Sequence, residues 1–117
     1  MNKQNTITQQ HYLKLHANGI IRLTILSEVI YLKSDGNYTD IILKDLSQYI
    51  MCKTLIDFET ELGPLFFRCH KSYLINMIYI KEINKRNRHI LLTTGKHIPF
   101  SRNKAKILEE RMGEKPC

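Results

Sequence analysis

The chain has 117 residues, of which 43% are hydrophobic, and a formal net charge of +7. This length and composition fit a single folded domain with its own core and exclude a chain that is disordered throughout. No stretch is apolar for long enough to cross a membrane or to act as a secretory signal. The three cysteines (Cys52, Cys69 and Cys117) are odd in number and widely spaced, which fits a reducing compartment, and we expect a soluble cytoplasmic protein.

Short strands are predicted throughout the first half of the chain. Residues 13–15 and 20–23 flank the dipeptide Asn18-Gly19, a pattern typical of a β-hairpin with a tight turn. The next apolar runs are too short for amphipathic helices and are rich in Ile, Tyr and Thr, which favours strands. These strands are predicted over residues 29–32, 38–43 and 48–52, with a loop over residues 33–37.

One interior helix is predicted after these strands. It begins at Thr54, which forms a variant of a capping box with Asp57, and apolar residues recur on one side of the next two turns. Gly63 followed by Pro64 ends the helix. Further strands are predicted over residues 66–68, 73–75, 79–83, 89–92 and 97–99.

The chain closes with a second predicted helix and a short tail. Ser101 is expected to cap this helix, and Ile107 and Leu108 are expected to pack it against the domain. The predicted organisation is a polar N-terminal extension over residues 1–12, one domain over residues 13–112 and a flexible tail over residues 113–117.

Positive charge is concentrated in one third of the chain. Between Arg68 and Lys106 there are ten basic residues against one acid, Glu82, so this segment carries +9 and the rest of the chain −2. A charge that served only solubility would be spread more evenly. Such a concentration is typical of a surface that binds a polyanion, with nucleic acid first and an acidic membrane second. On charge alone, a solvated face without a ligand stays open.

Two polar clusters lie within this basic segment, each beside apolar residues. The first is the block Arg-Cys-His-Lys-Ser over residues 68–72, and the second covers residues 101–104. Charged and hydrogen-bonding groups are hidden only when they are paired, so we expect both clusters at the surface, held by buried neighbours. Together they predict a surface that binds an anionic partner.

Five motifs follow one another along the chain. They are Ile30-Tyr31-Leu32 with Gly36-Asn37-Tyr38-Thr39, the helix from Thr54-Leu55 to Leu62, the stretch Phe67-Arg68-Cys69-His70-Lys71-Ser72-Tyr73-Leu74-Ile75-Asn76, the strand Tyr79-Ile80-Lys81-Glu82-Ile83, and Ile98-Pro99-Phe100-Ser101-Arg102. Because it contains these motifs in this order, the chain resembles the LytTR DNA-binding domain, the output module of many bacterial response regulators. The resemblance implies an elongated, mainly β fold of several short antiparallel strands in small sheets, with one interior helix and a short C-terminal helix.

The resemblance also implies a function, which is sequence-specific binding of double-stranded DNA at promoters. Binding is commonly to direct repeats, with loops rather than a recognition helix in the grooves. The family's base-reading positions fall on Tyr38, Lys71 and Arg102. The arginine fork matches guanine bidentately, the lysine reaches the same acceptors or a phosphate, and the phenol can donate, accept or lie against a thymine methyl. Packing within its strand stays the alternative for Tyr38.

Further side chains are candidates for contacts with the DNA backbone. The start of the second helix offers backbone N–H groups and a favourable dipole to a phosphate oxygen. Arg68 and His70 are expected to shape the loop around Lys71 or to make secondary contacts, because strand alternation points them away from it. Asn76 is expected to satisfy the backbone of a turn. The backbone-contact candidates are Asn37, Thr39, Ser72, Arg86, Arg88, Ser101, Asn103 and Lys104.

Enzymatic and metal-binding functions fit the sequence poorly. Cys69 and His70 are adjacent, so their side chains diverge on an extended chain, and the sequence has no Cys-x-x-Cys or His-Glu-x-x-His motif. We therefore expect no catalysis, no cofactor and no metal.

Two functions stay open beside DNA binding, namely RNA binding and a basic module that binds an acidic protein. RNA binding would need exposed stacking aromatics, which the basic segment offers only within apolar patterns. Beyond double-stranded DNA, a second copy on tandem sites is a candidate partner. No receiver domain precedes residue 13, so three sources of an input signal stay open: an upstream signalling protein, the expression level, or a domain outside this sequence. No membrane partner is expected.

Overall fold

The computed structural model describes residues 12–113, so most of the predicted extension and tail lies outside the described residues. Within them the chain forms ten strands and two α-helices, which confirms the mainly β fold. In chain order these are β1 (Tyr12–Ala17), β2 (Ile20–Ile25), β3 (Val29–Asp35), β4 (Tyr38–Leu43), β5 (Gln48–Met51), α1 (Leu55–Leu62), β6 (Phe66–His70), β7 (Tyr73–Asn76), β8 (Ile80–Asn84), β9 (His89–Leu92), β10 (His97–Pro99) and α2 (Lys104–Met112).

The strands form three antiparallel sheets. β1 and β2 make a two-stranded hairpin, β5-β4-β3-β7-β6 make a five-stranded sheet in that order, and β10-β9-β8 make a three-stranded sheet. The hairpin turn is the predicted Asn18-Gly19 pair, whose φ values of 51° and 77° are both positive, as a type I′ turn requires. The described residues extend over 47 × 37 × 24 Å, an elongated shape.

The five-stranded sheet separates two hydrophobic cores. Side chains alternate across a strand, so Leu32 and Leu74 face one core, which the hairpin and α1 complete. Phe67 and Ile75 face the other core, which includes residues of β9 and β10 together with Leu108 of α2. The three-stranded sheet and α2 are thereby fixed against β3, β7 and β6.

Helix α1 forms as its sequence predicts. The Thr54 hydroxyl accepts a hydrogen bond from the Asp57 backbone N–H at 3.3 Å, and Gly63 ends the helix with a φ of 79°. The apolar side of the helix, which includes Phe58, is buried against the five-stranded sheet.

The strand boundaries around two turns differ from the prediction. β3 continues to Asp35, so the predicted loop over residues 33–37 shrinks to the two-residue turn Gly36-Asn37. β8 begins at Ile80 because a 3-10 turn, Met77–Tyr79, precedes it. The buried Asn76 side chain caps this turn and hydrogen-bonds to the backbone, which confirms its predicted role.

Helix α2 begins two residues later than predicted, because its N-cap is Asn103 rather than Ser101. The Ser101 N–H donates to the Cys69 carbonyl at 2.8 Å, and the Ser101 carbonyl accepts from the Lys104 N–H at 2.9 Å, so a turn precedes the helix. Leu108 packs into the core as predicted, whereas Ile107 is 43% exposed. No helix within residues 12–113 is long and apolar enough to cross a membrane.

Candidate nucleic-acid interface

Backbone hydrogen bonds bring the predicted contact loops together. The end of β3, next to the β3–β4 turn, is joined to the β6–β7 turn by the Ser34 N–H, which donates to the Ser72 carbonyl at 3.0 Å. The end of β6 is joined to the segment before α2 by the bond from Ser101 to Cys69. Because these bonds are between backbone groups, the relative positions of the loops do not depend on the conformations of their side chains.

A fourth loop joins the same surface. The Phe100 N–H donates to the Arg88 carbonyl at 3.1 Å, which places the β8–β9 turn beside the segment before α2. We call the surface formed by the β3–β4, β6–β7 and β8–β9 turns and residues 100–104 the loop face. Arg88 has a φ of 56°, a left-handed conformation that lets the turn close.

The three predicted base-reading side chains all lie on the loop face and are exposed. Tyr38 begins β4 and is 48% exposed, Lys71 begins the two-residue β6–β7 turn, and Arg102 lies between β10 and α2. Within residues 12–113, none of these side chains makes a hydrogen bond or a salt bridge. Their polar ends are therefore available to an outside partner.

The backbone of the Lys71 turn is held by Arg68. Its Nε donates to the His70 carbonyl at 3.0 Å and its Nη2 to the Lys71 carbonyl at 2.6 Å. Its Nη1 lies 3.1 Å from a carboxylate oxygen of Glu59 on α1. The Arg68 side chain is only 18% exposed, so most of it is turned into the protein rather than toward a ligand.

His70 takes part in the same turn. Its Nδ1 accepts a hydrogen bond from the Ser72 N–H at 3.1 Å, and its ring meets the Tyr73 ring edge-on at a centroid distance of 5.9 Å. Because Nδ1 accepts, the neutral ring carries its proton on Nε2. His70 therefore contacts the turn and the first residue of β7.

One predicted contact is wrong. Thr39 is fully buried, and its hydroxyl donates to the Lys53 carbonyl at 2.6 Å. Alternation along β4 explains the error, because Tyr38 points outward and its neighbour must point inward. The other backbone-contact candidates are accessible at least in part: Asn37, Ser72, Arg86, Arg88, Ser101, Asn103 and Lys104.

One exposed lysine near the loop face was missed by the sequence prediction. Lys33 lies on β3, in register with Tyr73 of β7, and its Nζ is 5.9 Å from the centre of the Tyr73 ring. The signal was present in the sequence, since Lys33 follows the buried Leu32 in an alternating strand. The prediction placed it in a loop and gave it no role.

Cys69 is a structural thiol rather than a reactive one. It is fully buried beneath the loop face, and burial raises the pKa of its thiol to about 12. We expect iodoacetamide at pH 8 to alkylate the exposed Cys52 and to leave Cys69 unmodified in the folded protein. Peptide mass mapping before and after denaturation measures this, and rapid native labelling of Cys69 would contradict it.

No group of three or more His, Cys, Asp or Glu side chains that could hold a metal ion occurs in the described part of the chain. The loop face is instead rich in exposed cations and amides, which suit phosphate and base edges.

Comparison with known proteins gives consistent matches. Residues 18–113 match the family model of the LytTr DNA-binding domain. The sensory transduction protein LytT of Bacillus subtilis is 30% identical over 112 residues, which are 92% of this chain and 46% of that protein. The transcriptional regulatory protein YpdB of Escherichia coli is 28% identical over 113 residues, again 92% of this chain and 46% of that protein.

A solved structure has a similar fold. It is the LytTr DNA-binding domain of a response regulator from Bacillus cereus, with a TM-score of 0.76, 23% sequence identity, and coverage of 89% of this chain and 98% of that chain. The chain spans less than half the length of the curated relatives that it matches.

Proposed function

The chain belongs to the LytTR DNA-binding domain family, and we propose that it acts in a bacterial transcriptional regulator by binding promoter DNA through the loop face. The observation that carries the proposal is the loop face itself. It presents Tyr38, Lys71 and Arg102 together, exposed and without partners in the described protein. The family's domain is a non-enzymatic regulatory fold, and we propose no catalytic step.

Each part of the loop face has a distinct task in this proposal. Arg102 and Lys71 donate to guanine O6 and N7 in the major groove, and Tyr38 contacts a neighbouring base edge or thymine methyl. Cations and amides around them fix the register through phosphate contacts, which carry no sequence information. Arg86 and Arg88 supply such contacts from the β8–β9 turn.

Selection of bound duplexes from a random library, followed by affinity measurements over a salt series, tests the proposal. We expect a defined consensus and an affinity that falls steeply with salt, with a log–log slope of about −5 to −7 if five to eight phosphates are contacted. Failure to retain random duplex at low salt would favour the protein-binding module. Stronger competition by single-stranded RNA than by duplex DNA would favour RNA binding.

Lys104→Ala is expected to weaken binding to all sequences alike and to make the salt slope shallower by about 0.9, because one phosphate contact is lost. Lys14→Ala is the matched control. Lys14 is exposed on β1 of the hairpin. The hairpin contacts the end of the five-stranded sheet that is opposite to the loop face, where Arg22 of β2 pairs with Asp45 of the β4–β5 turn. A change of base preference in Lys104→Ala would contradict its assignment as a phosphate contact.

The proposal includes two protein partners, a second copy bound to an adjacent site and an upstream signalling protein. Comparing duplexes that carry one and two copies of the selected consensus tests the first partner. Cooperative binding to the double site supports it, and independent binding of each copy contradicts it.

A further inference from the structure

Side-chain contacts connect the Lys71 turn to Glu59, which lies outside the loop face. Glu59 lies on α1, which packs on the face of the five-stranded sheet opposite to the second core. It pairs with the guanidinium of Arg68, and the same guanidinium holds two carbonyls of the turn. One side chain thus connects a helix to the loop that presents Lys71.

The two carbonyls held by Arg68 are the ones that decide where Lys71 points. The His70 carbonyl belongs to the peptide group before the Lys71 Cα, and the Lys71 carbonyl belongs to the peptide group after it. Fixing both peptide planes fixes the backbone dihedrals of Lys71, and hence the direction in which its side chain leaves the turn. A planar guanidinium can hold two acceptors in fixed directions, whereas a lysine ammonium is a single point charge.

On the basis of the proposed function, we propose that Arg68 and Glu59 are positioning residues. They set the base preference of the domain by fixing the backbone of the Lys71 turn. Arg68 does so by its fork, and Glu59 by holding the fork in place. The competing role for Arg68 is a direct phosphate contact, in which only its charge counts. The two roles predict opposite results for two substitutions.

Arg68→Lys keeps the charge and removes the fork. The positioning role predicts a loss of about 10-fold in affinity for the selected duplex, near the discrimination that one base contact provides, with unchanged affinity for random duplex. The loss should fall on the base pair that Lys71 reads. In a Lys71→Ala background, Arg68→Lys should have no further effect on specificity, because the contact it positions is already gone.

Glu59→Ala separates the roles by the sign of its effect. It removes a negative charge, so electrostatics alone predicts tighter binding to every duplex. The positioning role predicts an affinity for the selected duplex that is about two- to fivefold weaker, the scale of a partly exposed ion pair. Glu61→Ala is the matched control, since Glu61 is on the same helix but pairs with Lys53. It should not weaken binding to the selected duplex.

The experiment measures affinities of wild type and variants for the selected duplex and for random duplex, with thermal denaturation to show that each variant folds. Weaker specific binding in both Arg68→Lys and Glu59→Ala, without weaker binding to random duplex in either variant, supports the inference. Wild-type specificity in Arg68→Lys, or tighter specific binding in Glu59→Ala, overturns it and leaves the proposed function intact. A wild-type protein with no preference for any duplex would instead overturn the proposed function.

Discussion

Arg102→Ala is expected to weaken binding to the selected duplex by about 10- to 100-fold, because a bidentate arginine–guanine pair contributes roughly 1–3 kcal/mol of discrimination. The position of Arg102 favours a large effect. It is exposed on a segment whose backbone is bonded to strand β6, through Ser101 to Cys69, and to the β8–β9 turn, through Phe100 to Arg88. Little conformational freedom is then lost when the side chain engages a base.

The decisive measurement is the base profile rather than the affinity alone. Arg102→Ala should relax preference at one base position, and Arg102→Lys should do so too, because it keeps the charge but not the fork. Arg86→Ala is the comparison, since a phosphate contact should weaken all sequences alike. An unchanged base profile in Arg102→Ala would remove it as a reader.

Much of the fold follows from local sequence signals. The Asn18-Gly19 turn and the cap of α1 by Thr54 depend on residues close together in the chain, and the structure confirms both. Local signals do not report contacts between distant parts of the chain. The Ser101 N–H donates to the Cys69 carbonyl, 32 positions away, and the Ser101 carbonyl accepts from the Lys104 N–H in a turn, so α2 begins at Lys104 with Asn103 as its N-cap.

The site was predicted less completely than the fold. The resemblance predicts base contacts by Tyr38, Lys71 and Arg102. All three side chains are exposed, on or beside loops that backbone hydrogen bonds join, and their contact with bases stays a prediction. The error at Thr39 has a simple cause. Thr39 alternates in phase with Ile41 and Leu43, which are buried in the first core, so it shares their inward side of β4.

The side-chain contacts that hold the Lys71 turn could not be predicted from the sequence. Sequence alternation suggested that Arg68 shapes its loop, but not that its fork holds two carbonyls or that Glu59 is its partner. Such contacts depend on how α1 docks beside β6. That docking follows from burial of the α1 apolar side, which fixes the helix by many weak contacts rather than by a local motif.

Asn76→Ala is expected to lower the free energy of unfolding by about 3–5 kcal/mol, because one buried amide serves three backbone groups. Asn76 is fully buried, and its Nδ2 donates to the Val29 carbonyl at 2.9 Å and the Leu26 carbonyl at 3.3 Å. Its Oδ1 accepts from the Ile78 N–H at 3.1 Å. Alanine removes the donor to the Val29 carbonyl, the acceptor for the Ile78 N–H and one of two donors to the Leu26 carbonyl, which also accepts from the Val29 N–H, and it opens a small void.

Urea denaturation at pH 7 measures the loss, and Asn84→Ala is the control. Asn84 is exposed and its Oδ1 accepts one turn bond from the Asn87 N–H at 2.9 Å, so its loss should be about 1 kcal/mol or less. Equal losses in the two variants would contradict the assigned role of Asn76.

Asn76→Asp tests the same role by charge rather than by size. It keeps the acceptor for Ile78 but places an oxygen against the carbonyls of Leu26 and Val29, so at pH 7 it should destabilise at least as much as alanine. Burial raises the pKa of such a carboxyl, and its protonated form regains a donor. The folded state then binds the proton more tightly than the unfolded chain, so the destabilisation relative to wild type should shrink as the pH falls toward about 4. A deficit that stays constant between pH 7 and pH 4 would show that the two carbonyls do not depend on the Asn76 donor.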